Sequence, residues 1–416
     1  MTPDQLLARR LAGQHLTGRP WRDPAAVVAG LGAVQAQEYA QSLWAVGLRA
    51  GQPSAAAVEA AIERGEILRT WPMRGTIHLI PAADARWMVD LMAGRRARQA
   101  AGVYRKIGLT DDVFARAASV VTDALSGGRR LRRAELYALL SEHGIDCSAS
   151  AHGGRGGHIL GYLSMTGLTC LGPLDGRQPT VALLADWAPR PRHPQDPVAE
   201  LALRYFTSHG PATVKDFGWW SGLTLAEIRP AIERAGTALA STELDGQQYW
   251  HAAALPTSDR HAALETDTAE TDTAETDAAE TDAAAATDAA AATNAAAPAA
   301  GDAGALLLPA FDEYNVAYRD RTMQSGGRAL PAGELLNPVM LLDGRAAGLW
   351  RARAGQRTVR IELGPFGRLG AADRARLHQA AERYAAFVGL AAEIIPAAAG
   401  ELSRQRNRQP AATPAS

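Results

Sequence analysis

The sequence predicts an α+β protein: tandem winged-helix units, each a helix-turn-helix core with a β-hairpin wing, followed by a small β-barrel-like C-terminal domain. Three observations carry this reading. Capped helix triplets ending in two short strands recur before residue 257, and a low-complexity acidic block then interrupts the chain. Beyond it the texture changes to short strands separated by glycine turns and closed by one long helix.

The first unit opens at MTPDQLLARRLAG, where Thr2 caps, Pro3 takes the first helical position and Gln5 is the capping-box partner. DPAAVVAGLGAV and SAAAVEAAIERG supply two more helices, and ILRTWPMRGTIHLI the strand-rich element. In the second unit the helix RAELYALLSEHG leads through the glycine-rich HGGRGGHILGYLSMTG to strands LTCLG and TVALLADW around PLDGRQP. The third is the clearest. Asp196 and Pro197 start a helix with Val198, Leu201, Ala202, Tyr205 and Phe206 on one face, and Thr213 with Asp216 and Thr224 with Glu227 form capping-box pairs for two more. ALASTEL and QQYWHAA then form a hairpin about Asp245-Gly246, a dipeptide suited to a tight turn.

In the acidic block, Glu265, Glu270, Glu275 and Glu280 repeat every five residues, a spacing that builds no apolar stripe, so disorder is expected. After it, ALLLPAFDEYNVAYRDR, PVMLLDGRAAGLWRAR and RTVRIEL read as strand-bearing segments, AADRARLHQAAERYAAFVGL as a helix and SRQRNRQPAATPAS as a mobile basic tail. The expected boundaries are 1–98, 99–192 and 193–256 for the winged-helix units, 257–304 for the insert, 305–400 for the β-rich domain and 401–416 for the tail.

At 47% hydrophobic residues the chain can build several cores, yet no run approaches the length of a membrane span and the N-terminus lacks a signal-peptide core. Two cysteines, Cys147 and Cys170, suit a reducing compartment and exclude a disulfide framework, so a cytoplasmic location is expected. The net charge of −1 conceals an asymmetry: ten acidic and no basic residues lie between Glu265 and Asp302, leaving 43 basic against 34 acidic residues elsewhere. Nearly all the positive charge is arginine, whose planar fork suits phosphate, which makes a nucleic-acid partner plausible; arginine also accumulates for compositional reasons in Ala- and Arg-rich chains.

There is no P-loop, dinucleotide-binding glycine pattern or nucleophile-elbow serine. GGRGGH is either a loop that lets its helix pack closely or a backbone contact for DNA through Arg155 and His158. His143, Cys147, His152 and His158 match no zinc spacing, and no metal or organic cofactor is implied. Gln35 and Gln37 flank Ala36. In an extended segment they share one face and can reach the same small object; the alternative is a solvated polar pair.

Five stretches in order resemble the AlkZ/YcaQ-like winged-helix family of bacterial DNA glycosylases: QAQ at 35–37, LRTWPMRGTIHLIPAAD at 68–84, GPATVKDFGWWSGL at 210–223, LLPAFDEYNVAYRDR at 307–321 and LLDGRAAGLWR at 341–351. The resemblance covers nearly the whole chain except the acidic insert and both termini. It implies three tandem winged helices and a small barrel forming a C-shaped DNA clamp, excision of alkylated purines from double-stranded DNA, and in some members unhooking of interstrand crosslinks in self-resistance to DNA-alkylating natural products. The family's catalytic motif, glutamine, an apolar residue, then glutamine or aspartate, maps onto Gln35, Ala36 and Gln37. The polar EYAQS after that motif and the acidic insert depart from the usual pattern.

An amide cannot take a proton at neutral pH but can orient a water, which suits an N7-alkylguanine or 3-alkyladenine whose positive charge already weakens the glycosidic bond. In RGTIHLI, strand alternation sets His78 beside Arg74, either toward DNA or as a structural histidine. Asp312 either serves the cleft or joins Arg319 and Arg321 in a salt-bridge cluster; otherwise those arginines contact phosphate. Trp44 and the Trp219-Trp220 pair are expected in the core. A monomer is expected, and the competing reading is a non-catalytic tandem winged-helix DNA-binding protein or regulator.

Overall fold

The computed structural model describes residues 1–148, 154–253 and 304–408. The acidic insert expected at 257–304 lies outside these residues except for Gly304, as do residues 409–416 of the tail.

Helix starts follow the local chemistry. Thr2 and Gln5 close a capping box on Pro3–Gly13, Asp23 caps Pro24–Leu31, Asp196 caps Pro197–Ser208, and Thr213–Asp216 and Thr224–Glu227 close boxes on Val214–Ser221 and Leu225–Ala235. Each side chain satisfies backbone N–H groups that the helix leaves unpaired.

The strands are β1 (Val34–Gln35), β2 (Ile67–Met73), β3 (Thr76–Pro81), β4 (Leu131–Arg132), β5 (Thr169–Asp175), β6 (Gln178–Leu183), β7 (Leu239–Leu244), β8 (Gln247–Ala252), β9 (Ala305–Leu308), β10 (Val339–Leu342), β11 (Arg345–Ala354), β12 (Thr358–Pro365) and β13 (Ala391–Pro396). Helices precede each of the three hairpins: Pro3–Gly13, Pro24–Leu31, Tyr39–Gly47 and Ala55–Glu63 before β2–β3; Asp111–Leu125, Arg133–Glu142 and Arg155–Met165 before β5–β6; and the three capped helices from Pro197 before β7–β8. The first two hairpins fuse into one sheet ordered β1-β3-β2-β5-β6-β4, joined at Arg69 and Leu171. The third stays two-stranded.

Several elements differ from expectation. TVALLADW leaves the sheet at Leu183 and continues as the helical turn Leu184–Trp187. The helix Ala85–Lys106, 22 residues long, follows the first hairpin. Residues 401–408, expected in the tail, belong to the helix Ala399–Arg408. The barrel-like expectation is corrected to an open sheet ordered β13-β12-β11-β10-β9. Its physical reason is the crossover: Ala371–Val388 covers the sheet and returns β13 parallel to β12, so β13 and β9 form separate edges.

This sheet is locked to the first unit. Trp44 is buried among Tyr384 and Phe387, with ring centroids 5.2 and 4.9 Å away, and its Nε1–H donates to Leu307 O at 2.7 Å. Gly47 permits that approach, because a Cβ there would lie 2.2 Å from Phe387. Among the described residues no helix is long and apolar enough to cross a membrane.

Candidate active site

After Pro24–Leu31 ends at Gly32, the chain straightens into β1, and Gln35 pairs with His78 on β3. Ala36 N–H continues the pairing to Ile77 O at 2.7 Å, while Ala36 O accepts from Arg69 Nε and Nη2 at 3.1 and 2.9 Å. Ala36 is therefore pinned in the core, and Gln35 and Gln37 meet on one side: Gln35 Nε2–H donates to Gln37 Oε1 at 2.9 Å. Gln35 is buried and Gln37 exposed, so the inner amide orients the outer one.

The anchor behind them is a carboxylate distant in sequence. Gln35 N–H donates to Glu313 Oε1 at 2.9 Å, and Trp220 Nε1–H donates to Glu313 Oε2 at 2.8 Å. His209 Nε2 approaches the same oxygen at 3.5 Å. Burial pushes the Glu313 pKa up, but His209, His78 and the Gln35 N–H together hold it below the ordinary 4.5. Glu313 is thus an ionised, fully buried carboxylate whose two oxygens are engaged.

Arg74 enters from the β2–β3 turn, where Arg74 and Gly75 both take positive φ, 53° and 72°. Glycine adopts that conformation without strain; Arg74 does so at a cost that the turn imposes. Its Nη2 lies 3.3 Å from His78 Nε2 and 3.4 Å from Gln35 Oε1. His78 Nδ1–H donates to Thr76 O at 2.9 Å, leaving Nε2 as the acceptor for Arg74. Burial, then the Arg74 charge, lower the His78 pKa to about 4, so the ring is neutral at pH 7. An arginine on one side and Gln37 on the other also determine which end of the Gln35 amide is oxygen.

The remaining expected residues separate. Asp312 is buried and bound by Arg49 through two parallel contacts at 2.9 and 2.8 Å, and it caps the helix Glu313–Val316 through Tyr314 N–H. The carboxylate that meets the glutamines is therefore its neighbour Glu313. His78 lies beside Arg74 as expected, but in the interior. Arg319 is exposed, with its backbone N–H on Asp216. Arg321 lies over Trp219, 5.5 Å from the ring centroid. Arg155 bonds to the Ile107 and Asp146 carbonyls and pairs with Asp146, while His158 meets Tyr104 edge-on, so both brace the second unit. Trp44 and Trp220 are core residues, whereas Trp219 is exposed, contrary to expectation. Sequence reasoning missed Glu313, His209 and the split between the tryptophans. The available signal was that FDEYN and FGWWS both belong to matched stretches.

The chain belongs to the AlkZ-like DNA glycosylase family: the family described as DNA glycosylase AlkZ-like matches residues 28–387. It is similar to the interstrand DNA cross-link repair glycosylase of Streptomyces sahachiroi, 26% identical over 364 residues that span 83% of this chain and 86% of that protein. The solved structure of Streptomyces sahachiroi DNA glycosylase AlkZ shares the fold, with a TM-score of 0.65 at 23% identity, covering 95% of this chain and all of that one.

Proposed function

We propose that this glycosylase hydrolyses the N-glycosidic bond of N7-alkylguanine or 3-alkyladenine nucleotides in duplex DNA, with Gln35 and Gln37 as the catalytic pair. The observation that carries this reading is the 2.9 Å bond from Gln35 Nε2–H to Gln37 Oε1 on a segment tied to Glu313. It leaves the Gln37 NH₂ and a remaining oxygen lone pair to orient a water against the sugar.

Such a site suits a substrate that supplies its own leaving group. A cationic purine becomes neutral as the bond breaks, so its departure needs no general acid, and the developing sugar cation meets the aligned water. Unmodified guanine lacks that driving force. The buried Glu313 charge adds a favourable field without itself attacking. The relative's name extends the reading to unhooking of interstrand crosslinks.

The three helix-plus-hairpin repeats support tandem winged helices over 1–98, 99–192 and 193–256, with 305–400 completing a clamp around DNA. In this reading Arg319 and Arg321 contact phosphate, Arg74 and His78 support the glutamines, Arg155 and His158 brace the second unit near the backbone, and Asp312 holds the loop that carries Glu313. The protein acts as a cytoplasmic monomer.

The test is release of free base from a duplex containing one N7-methylguanine. Wild type releases it, Gln37→Ala is slower by about 100-fold or more while still binding the duplex, and unmodified DNA is inert. Equal release from unmodified guanine would overturn the proposal.

A further inference from the structure

Trp219 is 45% exposed, the most open large hydrophobic side chain among the described residues. Open apolar surface is unfavourable in water, yet this ring is held rigidly. Its Nε1–H donates to Val316 O at 3.0 Å, and the Arg321 guanidinium lies beside the ring, 5.5 Å from its centroid. Arg321 is fixed in turn by Nε–H to Asn315 O at 2.6 Å. Its Nη2 is buried without a hydrogen-bond partner among the described residues, as are both polar atoms of the Asn315 amide.

The position connects this cluster to the glutamines. Trp219 precedes Trp220, whose indole holds Glu313. The same helix ends at Gly222, where a Cβ would lie 3.5 Å from Arg74 Cγ, and Arg74 reaches Gln35. Arg74 also feels Arg321: burial is the main cause of its lowered pKa, Glu313 opposes, and the Arg321 charge contributes further.

The geometry points to Trp219 as a stacking platform for a nucleobase displaced from the duplex beside the Gln35–Gln37 pair, with Arg321 supplying donors to the same nucleotide. The inference rests on duplex DNA being the substrate. A fixed aromatic face accepts any base, loses little side-chain entropy on binding, and gains from a neighbouring guanidinium that meets phosphate or a base edge.

The test compares Trp219→Ala, Trp219→Leu and Trp219→Phe in the full chain, measuring duplex affinity, KM, kcat and thermal midpoint with the N7-methylguanine duplex. Loss of one stacked base predicts affinity weaker by about 5- to 150-fold for Ala and Leu, with Phe recovering most of it and the midpoints unchanged. Leu matching wild type, or Phe as poor as Leu, would overturn the platform. Because Leu and Phe both fill the site, this pair decides the matter even if the Ala variant fails to fold. Absence of base release with the affinity ranking intact would instead refute the catalytic reading and leave the platform standing.

Discussion

Acidification provides a direct test of the Arg74–His78–Gln35 arrangement. His78 is fully buried, and burial followed by the Arg74 charge brings its pKa to about 4, against an ordinary 6.5 in an unfolded chain. As pH falls from 7 to 5, the unfolded state takes up a proton that the folded state refuses. The stability contributed by a neutral His78 is therefore complete above about 6.5 and is lost as pH falls, the loss ending near 4. Those two pKa values give a loss of about 2 kcal/mol between pH 7 and 5 from this residue alone. Glu313 does not confuse that window, because its folded pKa lies below 4.5 and its contribution is lost only at lower pH.

The assay is urea unfolding of wild type and His78→Gln at several pH values, with the imidazole followed separately by NMR. The difference in stability between the two proteins shrinks by about 2 kcal/mol from pH 7 to 5, because the variant carries no proton-binding group at this position. Protonation would also remove the Nε2 acceptor for Arg74 and set two cations together, releasing the contact on Gln35 Oε1. Parallel stability curves, or a His78 titration near 6.5, would refute the assignment of a neutral ring in the interior.

Glu313→Gln retains the shape but turns an amide NH₂ toward either the Gln35 N–H or the Trp220 indole; the lost hydrogen bond costs about 1–3 kcal/mol, and displacement of the catalytic segment slows single-turnover base release about 100-fold. A rate within threefold of wild type would sink this role. Asp312→Ala strands the fully buried Arg49 charge and lowers stability in urea by about 3–5 kcal/mol; an unchanged midpoint would mean that the ion pair is dispensable. Arg319→Ala leaves stability intact and lowers the slope of log affinity for duplex DNA against log salt by about one, whereas an unchanged slope would exclude a phosphate contact.

The local features were legible because their causes are local. Thr213 and Asp216 satisfy each other's backbone within one turn, and Asp245-Gly246 turns a hairpin because both residues accept positive φ, 52° and 73°. For the Gln-Ala-Gln segment the sequence supplied only a condition, that an extended chain sets both amides on one side of the alanine, and the pairing of Gln35 with His78 meets it.

Long-range partners were not legible, since no short-range rule selects them. Glu313 reaches Gln35 from 278 residues away, and adjacent carboxylates diverge because the short helix turns Asp312 toward Arg49 and Glu313 toward Gln35 and Trp220. The same distinction separates Trp220, packed in the core, from Trp219, left open beside Arg321. The sequence alone determined the caps, the turns and the two amides. Tertiary packing decided which buried charge anchors them and which aromatic face remains exposed, because desolvation and Coulombic pairing depend on neighbours that only the folded chain brings together.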